Sequence, residues 1–296
     1  MKNFIPAKYS PYVLSLVILG AFLLLWSGLT SVPKFDPEGL SEEDIMLMEM
    51  NGDIIRDTND NYINNPDKLE TIPGPGRVWE TAKAELKAPF TEVGTNDHGI
   101  GLLVGYTLKR FLFGFLLATI AAVFIGIFIG SSKTLFTALN PFIQLLKPVS
   151  PLAWMPLLLY SIKDPYWTSV FVVFMASLWP TMANTAFGVS NIKKDYLRVS
   201  QMVELSWARQ FFTVILPAAA PSIFAGIRIS FGSALVAVVP AEMLLGELGV
   251  GYLSWIEWNN LDIAGVIFAI IVVGIVGFIL DWGLSKLASR FTYAEA

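Results

Sequence analysis

Apolar runs of about 20 residues divide this chain, at Pro11 to Thr30, Phe111 to Gly130, Leu139 to Ile162, Trp167 to Gly188, Ser222 to Leu245 and Ala264 to Leu284. That is the length at which an α-helix crosses a hydrocarbon layer of ~30 Å. The pattern predicts an all-α integral membrane protein with about six transmembrane helices. Between the first two runs lies a polar segment. Its centre, Glu38 to Glu70, is rich in Asp, Asn and Glu, and Ile72-Pro73-Gly74-Pro75-Gly76 predicts a rigid turn before a short helix from Val78 to Leu86. Three parts follow: a tail and first helix (1–30), an insert (31–101) and a helical core (102–296).

Composition agrees with a lipid environment. The chain is 54% hydrophobic and 15% charged, with a mean hydropathy of +0.59, whereas a soluble domain carries roughly a quarter charged residues. A net charge of −4 gives no ground for a nucleic-acid partner, and the absence of Cys excludes disulfides and thiolate metal sites. The first run lacks a small-residue cleavage site and is read as a retained helix. Cytoplasmic flanks keep positive charge, so Lys2, Lys8, Lys133, Lys193, Lys194, Arg198, Arg209, Lys286 and Arg290 place both termini inside. The insert and the acidic loop Gly246 to Ile263 then face outward. Lys109 and Arg110, opening the second run, break this rule.

A polar amphipathic stretch separates the fourth and fifth runs. Asp195 is suited to cap a helix in which Tyr196, Val199, Met202 and Val203 recur at helical spacing, leaving Arg198 and Gln201 on another face. Ser206 is placed to cap a second helix, Trp207 to Val214, with Pro217 and Pro221 marking the start of the fifth run. Such a helix offers one face to the membrane domain and another to a partner.

This stretch, closed by Val214-Ile215-Leu216-Pro217, resembles the cytoplasmic coupling loop of ABC-importer permeases, here at 195–217. Counted back from Pro217, Arg198-Val199-Ser200 stand in place of Glu-Ala-Ala, and Glu204 in place of the usual Gly. Such departures are typical of permeases for nitrate, bicarbonate, cyanate and sulfonates. The same subgroup resembles this chain at Asn96-Asp97-His98-Gly99-Ile100-Gly101, Pro151-Leu152-Ala153-Trp154, Gly226-Ile227-Arg228-Ile229-Ser230 and Ala241-Glu242-Met243-Leu244, and the nitrate/nitrite branch most. The resemblance implies a type I ABC permease fold in a bacterial inner membrane and a homodimer. It further implies an extracytoplasmic binding protein delivering a small anion, and two ATPase subunits, unlike in the nitrate branch, which bind ATP and Mg. Coupling would pass through Asp195, Tyr196, Arg198, Val199, Ser200, Met202, Glu204, Leu205 and Ser206 to Pro217 by alternating access.

No cofactor site and no ATP site is read in this chain. Gly130-Ser131-Ser132-Lys133-Thr134 has phosphate-loop composition but the wrong spacing from Gly126, and it closes an apolar run instead of following a strand. Asp57, Asn59 and Asn61 open like a calcium loop, but Tyr62 and Lys68 stand where Gly and Glu are required. His98 reads as a surface imidazole. The translocation-path candidates are Lys147, Trp154, Arg228 and Glu242, since charge at membrane depth faces a cavity or a partner; for Lys147, snorkelling beside Pro148 and Pro151 is the competing reading. Gly226, Ser230, Ala234, Ala237 and Ala241 form a small-residue face for intrachain packing or a dimer seam. Trp167, Trp179, Trp255, Trp258 and Trp282 are expected to anchor at the interface. A secondary transporter remains the rival class, although the halves show no repeat.

Overall fold

The computed structural model describes residues 10–30, 35–37, 40–56, 61–65, 72–94 and 97–288. Lys2, Lys8, Glu38, Asp57, Asn59, Lys68, Glu70, Asn96 and Arg290, which carry expectations above, lie outside the described residues. The chain forms two compact units, Met1–Lys87 with Leu261–Phe268, and Ala88–Asn260 with Ala269–Ala296.

In the first unit, α1 (Ser10–Leu29) has a mean hydropathy of 2.2 over its most apolar 18 residues, none of them buried. A surface of that kind needs lipid around it. The polar segment after it folds in places. Helix α2 (Glu42–Asn51) starts with a capping box: Asp44 N–H donates to Ser41 Oγ at 3.2 Å, and Ser41 N–H donates back to Asp44 Oδ2 at 3.1 Å. The Ser41 hydroxyl, donating to Asp44 Oδ2 at 2.7 Å, and the Ser41 N–H together hold the Asp44 carboxyl below its ordinary value, so these two bonds persist above that range and weaken as acid protonates Asp44. Gly52, at φ 74°, ends α2 in the left-handed conformation. Strands β1 (Ile54–Arg56) and β2 (Tyr62–Asn64) pair antiparallel, and Arg56 ties them to α2 by donating to Glu49 Oε1 at 3.0 Å and to the Tyr62 hydroxyl at 2.7 Å. The short helix expected from Val78 begins three residues earlier, as α3 (Pro75–Glu85). Pro75 sits at the first helical position, where a missing N–H costs nothing.

The second unit opens with a two-residue hairpin, β3 (Glu92–Val93) with β4 (Asp97–His98). With β1 and β2, these short strands are the exceptions among otherwise helical elements in the described residues. His98 is not a surface imidazole: its Nδ1 is buried and its ring packs edge-on to Tyr106 at 5.9 Å. Helix α4 (Ile100–Gly130) starts 11 residues before the expected span. At 1.5 Å per residue it is roughly 46 Å long. The expected single span Leu139 to Ile162 is instead a bent pair. Helix α5 (Lys133–Leu146) and the segment Pro151–Ile162, a 3-10 turn (Pro151–Trp154) followed by α6 (Met155–Ile162), meet at 82°. Pro148 and Pro151 remove two backbone donors at the bend.

Helix α7 (Pro165–Ser190) runs parallel to α4: Gly114 meets Val170 and Val173, Gly126 meets Met182 and Thr185, and Gly130 meets Ala186 and Val189. A Cβ at these glycines would fall under 3.0 Å from its neighbours, so close backbone approach depends on them. Next come α8 (Lys194–Met202), α9 (Trp207–Gln210), a π turn (Phe211–Ile215), α10 (Leu216–Leu245), α11 (Val250–Asn259) and α12 (Ile263–Ala288). Thus α11 occupies the expected loop Gly246 to Ile263. Among the described residues, five helices are long and apolar enough to cross a membrane, or six counting the bent pair as one span.

Candidate functional site

Helices α7 and α10 lie antiparallel as the central pair of the second unit. The small-residue face of α10 is consumed here. Ser230, Ala234 and Ala241 are fully buried, and Gly226 abuts Thr181 and Asn184. The packing reading of that face therefore holds over the dimer seam. Midway along, Ser230 Oγ accepts from Thr181 N–H at 3.0 Å and donates to Ser177 O at 2.6 Å. Its one proton is thereby used, so the Thr181 hydroxyl donates to Ser230 Oγ at 2.7 Å. Ser177 O and Thr181 N–H are an i, i+4 pair next to Pro180, where the helix ladder is interrupted.

At one end of this pair sits the loop segment. Helix α8 begins at Lys194, so Asp195 does not cap it but lies in its first turn, where a carboxylate suits the positive end of the helix dipole. The second helix expected from Trp207 to Val214 is not separate. Four residues of α9 pass through the π turn into α10, and Leu216 N–H reaches back five residues to Phe211 O. Pro217 explains the widening: it has no N–H, and its ring would clash with the carbonyl four residues earlier in a regular helix. Pro217 and Pro221 consequently lie inside a continuous apolar stretch, Ala208–Leu245. A groove of about 430 Å³ joins α8 to the start of α10, lined by Tyr196, Val199, Ser200, Leu205, Val214 and Pro217 among others. Beside it, Gln210 Nε2 of α9 donates to Ser200 Oγ of α8 at 2.8 Å. Arg198 pairs with Asp195 at 3.6 Å, and Met202 is exposed. Glu204, at the position where the resemblance expects Gly, has φ 50°. The left-handed backbone that a glycine there would supply is adopted by a glutamate. Ser206 O accepts from Gln210 N–H at 2.8 Å, closing the corner.

The path candidates separate. Lys147 ends α5 and lines a groove of about 450 Å³ with Ser150, Trp179, Pro180, Gly232 and Ser233. Trp154 sits in the 3-10 turn outside that lining. Arg228 donates to Asp281 Oδ2 of α12 at 3.1 Å. Trp179 is half-buried and lines the same groove as Lys147, whereas Trp167, Trp255, Trp258 and Trp282 are exposed.

Glu242 belongs to neither groove. It is wholly buried at the opposite end of the α7/α10 pair, bonded to Arg110, which is 2% exposed. Glu242 Oε2 also accepts from Thr107 Oγ1 and Gly251 N–H, both at 3.0 Å. Arg110 Nη2 donates to Glu247 Oε2 at 3.0 Å and Leu248 O at 3.2 Å, and Val250 N–H donates to Thr107 Oγ1 at 3.0 Å. Gly249 backs directly onto the Glu242 carboxyl, leaving no room for a side chain. The exception to the charge rule, Arg110, is thus compensated inside the protein. Arg110, opening one apolar run, and Glu242, inside another, were the signal available in the sequence.

Residues 97–293 match the family described as the binding-protein-dependent transport system inner membrane component. Over 224 residues the chain is 38% identical to the nitrate import permease protein NrtB of Synechocystis sp., covering 76% of this chain and 82% of that relative. It is 41% identical over 202 residues to NrtB of Leptolyngbya laminosa, covering 68% and 72%. The bicarbonate transport system permease protein CmpB of Synechocystis sp. is 35% identical over 222 residues, covering 74% and 79%. With its apolar helices and the family match, the chain belongs to the binding-protein-dependent transport system inner membrane components, as an ABC-importer permease of the type I fold.

Proposed function

We propose that two copies of this chain form the pathway of an ATP-driven importer for nitrate or nitrite in a bacterial inner membrane. Both termini and the α8 corner face the cytoplasm, and the insert faces outward. A soluble binding protein delivers the anion, and two ATPase subunits, unlike each other, hold ATP and Mg. The observation that carries this reading is the α8 corner: an exposed helix seated over a groove that ends on Pro217, at the widened root of α10. Motion of α8 reaches the central α7/α10 pair through that root. The anion passes along the Lys147 groove, where one cation beside Ser150, Gly232 and Ser233 attracts without trapping. Trp154 and Arg228 flank the path without contacting the anion.

The relatives named for nitrate import favour nitrate, and the likeness to a bicarbonate permease makes bicarbonate the second reading. The test is anion uptake and ATP hydrolysis by the reconstituted complex across nitrate, nitrite, bicarbonate, cyanate and a sulfonate. Stimulation by nitrate and nitrite is expected. Stimulation by bicarbonate alone moves the assignment, and uptake without ATP points to a secondary transporter.

A further inference from the structure

Helix α2 lies outside the family match at residues 97–293, so formation of the shared permease core does not account for it. It is nevertheless a built element, capped at both ends and pinned to the β1/β2 hairpin through Arg56 and Glu49. Its outward stripe is inverted relative to a soluble helix. Glu43, Met46, Leu47 and Met50 fall at i, i+3, i+4 and i+7, and the three apolar members are 71%, 52% and 78% exposed. That spacing normally faces a core, and flexible methionines on a surface suit contact with a partner.

Charge decides what covers the stripe. Helices that lie on a membrane surface carry Lys and Arg on their polar face. Among the ten residues of α2 there is no Lys or Arg, while Glu42, Glu43, Asp44 and Glu49 are acidic. A second copy of α2 would set these acidic turns against each other. A protein with an apolar cleft and a basic rim fits instead, by the helix-in-groove mode. A carrier that must capture an anion needs positive charge around its mouth, which the acidic first turn of α2 would complement.

We infer that α2 docks the soluble anion-delivering component of this importer through Met46, Leu47 and Met50, with Glu42 and Glu43 meeting basic residues at the rim. This rests on the proposed reading of a binding-protein-fed anion importer. The surface acts as a tether for the delivering component.

The test uses the full chain in its reconstituted complex in nanodiscs, and the purified, nitrate-loaded binding component of the same importer as probe. Met46→Ser/Met50→Ser and Glu42→Lys/Glu43→Lys are each expected to raise Kd at least tenfold with basal ATP hydrolysis unchanged. The Lys pair should also flatten the salt dependence of binding. Met46→Leu/Met50→Leu, which keeps the apolar stripe and the helix, should bind within about threefold of the parent. Kd within twofold of the parent for both disruptive pairs overturns the inference and leaves the importer reading intact. Quenching of a fluorophore at position 50 by brominated lipid, or a cross-link between two copies at Met50, overturns it in favour of lipid or self-association. A probe that does not bind even the parent complex sinks both the inference and the reading beneath it.

Discussion

The two ends of the α7/α10 pair are built in opposite ways. At one end a buried ion pair, Arg110 with Glu242, gathers α4, α10 and the turn leading into α11 by hydrogen bonds that leave almost no atom in contact with solvent. At the other, α8 is exposed, held to α9 by Gln210 and Ser200, with a glutamate in a backbone conformation suited to glycine. Buried charge that loses one partner is expensive, so the first end resists separation. Among the described side chains of α8 only Ser200 is buried, so the second end is expected to open at lower cost. Under the proposed reading, in which α8 transmits motion, such a lever needs the fixed point that the other end supplies.

The largest expected effect breaks the fixed end. Arg110→Met leaves Glu242 buried without its cation and should cost about 3–5 kcal/mol. Arg110→Met combined with Glu242→Leu replaces the pair by apolar side chains of similar volume and should recover most of that loss. Thermal unfolding of the purified permease measures both. A double variant as unstable as the single one would show that the pair does not act as a unit.

Ser230→Ala tests the link between the two ends. The change strips Thr181 of its acceptor and Ser177 O of a donor in a buried seam, at a cost of about 1–3 kcal/mol. Amide exchange at Thr181 should accelerate while that of α4 near Arg110 stays slow. Unchanged exchange at Thr181 would mean that the helix ladder satisfies itself and the hydroxyl is incidental.

How far these features are legible in the sequence depends on how local their causes are. Helices α1, α7 and α12 follow apolar runs free of interior charge at their starts, and their bounds sit close to the expected ones. The start of α4 does not, because Lys109 and Arg110 end the hydropathy signal while Glu242, 132 residues away, makes Arg110 tolerable. Pro148 and Pro151 announce a break, but the 82° bend also depends on what α5 and α6 pack against. Ser230 reads as one more small residue, and its place in the ladder of α7 needs the register with Pro180. At the exposed end, the position of Glu204 is countable from Pro217, whereas its left-handed backbone is set by the corner it turns.

Gln210→Ala removes the hydrogen bond from α9 to Ser200 of α8, at a cost of about 0.5–1.5 kcal/mol confined to that end. Proteolysis between α8 and α9 should quicken while the global unfolding midpoint barely moves. A matching drop in the midpoint would make the two ends one cooperative unit and erase the contrast.

The smallest effect is expected at Glu204, and it separates backbone geometry from side-chain identity. A non-glycine residue in the left-handed region carries roughly 1–2 kcal/mol of strain, and glycine relieves it. Glycine also gives the unfolded chain more freedom, which returns about 0.5–1 kcal/mol. The two nearly cancel, so Glu204→Gly should change stability by less than about 1 kcal/mol and keep ATP hydrolysis coupled to uptake. Glu204→Val puts a β-branched side chain where φ is 50° and forces the corner to shift. Transport per ATP should fall in the Val variant alone, with the unfolding midpoint set by the Arg110 end unchanged in both. Loss of coupling in the Gly variant instead would assign the role to the carboxylate, and the corner would then act by charge at its surface instead of by the shape of its turn.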